Sequence, residues 1–67
     1  MWPFGKKLDF HIGDCFLMNW VTTDEYKVVD VSPSKKAIKL ISVAFNHPIW
    51  LSADMVKRLF VDWVSRG

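Results

Sequence analysis

The segment from Tyr26 to Phe45, YKVVDVSPSKKAIKLISVAF, constrains the fold of this chain more than any other. Val28, Val29 and Val31 lead into a break at Ser32, Pro33 and Ser34, and Ile38, Leu40, Ile41 and Val43 follow it. Two β-branched runs of strand length about a turn-forming cluster predict a β-hairpin. Proline presets φ and has no N–H to give a ladder, and serine hydroxyls bond nearby backbone, so the cluster suits a tight turn. The remaining elements have to fit around this hairpin.

The apolar run Cys15 to Val21 predicts a strand before it, with Cys15, Leu17 and Asn19 on one face and Phe16, Met18 and Trp20 on the other. Thr22 to Glu25 read as a short polar loop into the hairpin, which makes the first three strands an antiparallel meander. In the third strand Ile38 and Leu40 share a face, while Ile41, Val43 and Phe45 lie on the other. A bend or bulge near Ser42 would turn both sets into one core. Asn46, His47 and Pro48 form the next break, and Ile49 to Leu51 a very short fourth strand. Ser52 can cap a short helix with Asp54 in its first turn and Val56, Leu59 and Phe60 on one stripe. From about Leu59 the pattern reverts to alternation, which predicts a closing strand.

A chain of 67 residues is one domain at most and buries only about 60% of its unfolded surface. Small scaffolds therefore need a staple, a partner or dense aromatic packing. Cys15 is the one cysteine, so an internal disulfide is excluded. The visible resource is aromatic: four Trp, five Phe and one Tyr, more ring surface than so small a core encloses. Pro3, Gly5, Lys6 and Lys7 predict a partly ordered arm over residues 1–9, ahead of a domain over 10–65. The start lacks the apolar run of roughly 7 to 15 residues of a secretory signal, and no stretch approaches the length of about 18 needed to span a bilayer. The expectation is a soluble, cytoplasmic chain without a membrane partner.

Five strands with one helical turn between the fourth and fifth give a mainly β chain ordered as in an SH3-like barrel. Over residues 10–64 the sequence resembles the Tudor and KOW branch of that superfold. The resemblance is carried by Gly13-Asp14 before the first strand, Trp20 at its end, Tyr26-Lys27-Val28, Phe45-Asn46, and Leu51 to Met55 leading into the helical turn. It implies a five-stranded barrel with an edge-managing closure. In Tudor-like domains similar positions form an aromatic cage for a methylated ammonium or guanidinium, which here implies Trp20, Tyr26 and Phe45 with Asn46 beside them.

These residues, with Trp50, are the candidate partner-binding set for a protein or peptide, since interface centres are enriched in aromatic rings. A homodimer would bury the same rings. The alternative is nucleic acid, tracked by Lys27, Lys35, Lys36 and Lys39 with Trp20 or Tyr26 as stacking platforms. The lysines are dispersed among acids and the formal net charge is +2, which argues only weakly for a polyanion. His11, Asp14, Cys15 and His47 lack the paired spacing of a zinc site, and Cys15 lies in an apolar run. Asp9, Asp14, Asp30 and Asp62 read as exposed charges, and Gly5, Gly13 and Gly67 form no phosphate-cradling loop. No catalytic residue, metal or cofactor is expected. The sequence reads as a non-enzymatic interaction module.

Overall fold

The computed structural model describes residues 8–67. Five strands, β1 (Cys15–Trp20), β2 (Thr22–Val31), β3 (Ala37–Ser42), β4 (Pro48–Ser52) and β5 (Phe60–Ser65), form one antiparallel sheet, and helix α1 (Ala53–Leu59) joins β4 to β5. The sheet order is β4-β3-β2-β1-β5, so each strand from β1 to β4 pairs with its neighbour in sequence and β5 returns to the free side of β1. The mainly β expectation, with one short helix before the last strand, is met. Most of the expected arm over residues 1–9 lies outside the described residues. Leu8 does not: it is buried in the core together with Phe10.

The central hairpin forms where the sequence places it. Ser32 closes it, its N–H donating to Ala37 O at 3.0 Å while its hydroxyl accepts from Ala37 N at 3.1 Å. Lys35 takes the left-handed position of the turn, at φ 62. Strand β2 carries an irregularity between Val28 and Asp30. The extra residue there lets Tyr26, Val28 and then Val31 all lie on the core side, which a strict two-residue period would forbid.

Two expectations are corrected. Thr22 to Glu25 are strand, not loop: β1 turns directly into β2 at Val21, so Trp20 pairs with Thr22 and Leu17 with Glu25. Polar composition misleads there because none of the four residues enters the core: Thr22 and Thr23 are exposed and Asp24 and Glu25 half-buried. The third strand does not bend at Ser42. It ends there, and Val43 and Phe45 stand in solvent beyond it.

Phe16, Met18, Val28, Ile38, Leu40 and Val56 form the sealed centre of the core. Helix α1 adds Ala53 and Val56 to it and is capped as expected, the Ser52 hydroxyl accepting from Met55 N at 3.2 Å. Rings take up the rest of one side. Phe10, Phe16, Phe60 and Trp63 meet pairwise, from 4.9 Å between Phe60 and Trp63 to 6.2 Å between Phe10 and Phe60, in tilted or edge-on geometry. Among the described residues no helix is long and apolar enough to cross a membrane.

Candidate functional site

Half of the exposed large apolar side chains, Trp20, Val21, Val43 and Phe45, belong to the β1–β2 hairpin and the β3–β4 turn; Ile12, Trp50, Val61 and Val64 lie elsewhere. Val21 forms the tip of the β1–β2 hairpin in a left-handed conformation, φ 73, and is 95% exposed. A β-branched residue there brings Cβ against its own backbone, at a cost of about 1–2 kcal/mol that glycine would avoid. Trp20 precedes it, about one third exposed. The β3–β4 turn approaches from the neighbouring strand: Val43 N donates to Glu25 O at 3.1 Å, which ties the turn to the same half of β2. Within the turn Asn46 N donates to Ser42 O at 2.7 Å and Phe45 N to the Ser42 hydroxyl at 3.4 Å. Asn46 sits at φ 54, a conformation that asparagine tolerates. This compact turn holds Phe45 out in water, 79% exposed, with Val43 beside it.

The candidate aromatic set is therefore divided. Trp20, Phe45 and Asn46 share this end. Tyr26 faces inward opposite Phe16 and is part of the core. Burial pushes its phenol up from 10.0, and the Asp24 carboxylate adds to the shift. A cage that needs the Tyr26 ring at the surface lacks that wall. Trp50 lies on the outer face of the sheet, opposite Lys39, which in turn faces Asp30. The Lys39 Nζ is 6.0 Å from the Trp50 ring centroid. Trp50 flanks a shallow depression with Pro33 and Ala37, apart from Trp20 and Phe45.

The lysines are likewise spread out. Lys27 and Lys39 project from the outer face on different rows, while Lys35 and Lys36 occupy the β2–β3 turn at the far end of the sheet from Val21. Asp30 interrupts the basic face between them.

Asp14 is corrected from exposed charge to buried hub. It is 1% exposed, and its Oδ2 accepts from His11 N while Oδ1 accepts from Gly67 N, both at 2.9 Å. Arg66 Nε lies 3.7 Å from Oδ2. The same guanidinium stacks over Trp63 at 3.9 Å and donates to Asp9 O at 3.1 Å. Gly13, at φ +98, and Gly67 pass so closely that a Cβ on Gly67 would lie 2.7 Å from Gly13 backbone. His11 is a local partner, but nothing in the local sequence marks Asp14 as buried, because Arg66 and Gly67, which complete its shell, come from the other end of the sequence.

Among the described residues no three His, Cys, Asp or Glu side chains are grouped to hold a metal. Cys15 is half-buried in β1, and His47 stands three strands away, before β4. Comparison of the chain with family models, with curated proteins and with solved structures finds no match in any of the three.

Proposed function

We propose that this chain is a small non-enzymatic interaction module that binds a protein or peptide through the apolar end formed by Trp20, Val21, Val43 and Phe45. The observation that carries the reading is Val21, a fully solvated β-branched residue held in a strained conformation at the tip of a hairpin. Strain that packing does not require is commonly kept for a binding role. On the β3–β4 turn, which is tied to the same strand at Glu25, Phe45 places a large ring in water with no partner ring among the described residues. Apolar surface concentrated in this way fits a docking patch for an apolar segment. The sheet order, with a helix between β4 and β5, supports an SH3-like reading of the architecture, and that architecture hosts many unrelated functions.

Nucleic acid is the second reading. It draws on the exposed Trp50 ring with Lys39 above it and Lys27 on the same outer face. The intervening Asp30 and the scatter of the lysines weaken it.

An amide-shift titration separates the two. Short aromatic and aliphatic peptides are expected to shift Trp20, Val21, Val43 and Phe45, and to lose that effect in Phe45→Ser. Single-stranded oligonucleotides that instead shift Lys27, Lys39 and Trp50, with affinity falling as salt rises, would overturn the proposal.

A further inference from the structure

At the opposite end of the sheet from Val21, beneath the β2–β3 turn, the surface opens into a half-enclosed cavity of about 430 Å³. Its floor is apolar: Leu8, Phe10, Ile38 and Ala53, all buried residues of the core, contribute to it. Helix α1 provides both Ala53 and, one turn later on the same face, Lys57. The alanine leaves the space open, and the lysine stands at its edge. Lys35 reaches the cavity from the turn.

Neither ammonium is neutralised. The ion pairs among the described residues both involve Asp14, and neither Lys35 nor Lys57 has a carboxylate within ion-pair distance. The one carboxylate on the wall is Asp9. Two lysines over an apolar floor, in a cavity of the size that holds small molecules, have the complementarity of an amphipathic anion. We propose that this cavity binds a small molecule with a short apolar body and a carboxylate or phosphate head, the body on Ile38 and Ala53 and the head between Lys35 and Lys57.

The inference does not depend on the peptide-docking end, because the two sites share no residue. It is tested by titrating the full chain with octanoate, octyl phosphate, octan-1-ol and octylamine while following amide shifts. The two anions are expected to shift Leu8, Ile38 and Ala53 saturably, and to bind at least about tenfold more tightly than the alcohol or the amine, roughly 1.4 kcal/mol. The tighter of the two names the head group. The double variant Lys35→Gln/Lys57→Gln, at two exposed positions, should lose about the same factor for the anions and leave the alcohol unchanged. Equal binding of all four probes, binding indifferent to the double variant, or no shift at these amides would overturn the proposal.

Discussion

Asp14 shows how much of a small protein's stability a single side chain can hold. Its carboxylate satisfies two backbone N–H groups and faces Arg66, so it joins the turn before β1 to the end of the chain. Asp14→Ala would strand both donors and is expected to cost about 2–3 kcal/mol. That is a large part of the roughly 3–10 kcal/mol available to a domain of this length. Asp14→Asn keeps one acceptor and should cost less than half as much, a ranking that denaturant midpoints can check. Val21 makes the opposite prediction. Val21→Gly removes the strain at φ 73 and should raise stability by about 1 kcal/mol. If the hairpin tip docks a partner, the same change weakens that binding, whereas a purely structural tip would show the gain alone. Tyr26 supplies a third test, helped by being the only tyrosine. Its phenol is raised from 10.0 by burial and by Asp24, so the unfolded chain releases that proton first. The linked stability is intact below pH 10 and declines as pH rises through the folded-state value. Phenolate absorbance of the native protein should accordingly rise at higher pH than that of the urea-unfolded chain.

At the scale of elements, the helix and the central hairpin follow local rules, and their limits follow from capping. Ser52 accepts from Met55 N, Asp54 lies in the first turn, and Lys57 and Arg58 lie in the last, in keeping with the helix dipole. Ser52→Ala is expected to destabilise the protein by about 1 kcal/mol, measurable in thermal or denaturant unfolding. The hairpin between β2 and β3 is legible because Ser32 and Pro33 punctuate two β-branched runs. The hairpin between β1 and β2 is not, because Val21 is a poor turn former and Thr22 to Glu25 look like a linker. Their place in β2 is set by pairing with Leu17 to Trp20, a nonlocal ladder that outweighs local propensity. Likewise the irregularity at Val29 settles which valines reach the core, and period alone cannot announce an added residue.

For the whole molecule, the meander places two candidate surfaces at opposite ends of one sheet, and the ring cluster of Phe10, Phe16, Phe60 and Trp63 reaches the cavity through Phe10. This division of rings between core and surface carries a further test. Phe45 is mostly solvated, so Phe45→Ser should change stability by no more than about 0.5 kcal/mol while reducing peptide binding. A large loss of stability would instead mark Phe45 as part of the packing. Truncating Trp63 should do what Phe45→Ser does not, costing about 3 kcal/mol or more, because three rings and the Arg66 guanidinium lean on it.

The residues by themselves determined the class of this protein: β-branched runs broken by Ser-Pro-Ser, a capped stripe of helical period, and a return to alternation specify strands, one helix and a last strand, since these signals are local. Ring number alone also dictated that some aromatics stay outside so small a core. Which ones do so was decided only in three dimensions. Trp20 lies in an apolar run and Tyr26 among charged residues, yet cross-strand register puts Tyr26 against Phe16 in the core and Trp20 beside the exposed tip. The burial of Asp14 and the cavity between Lys35 and Lys57 have the same origin. Each is assembled from segments far apart along the chain, and the free energy that brings them together comes from tertiary packing rather than from anything written in one segment.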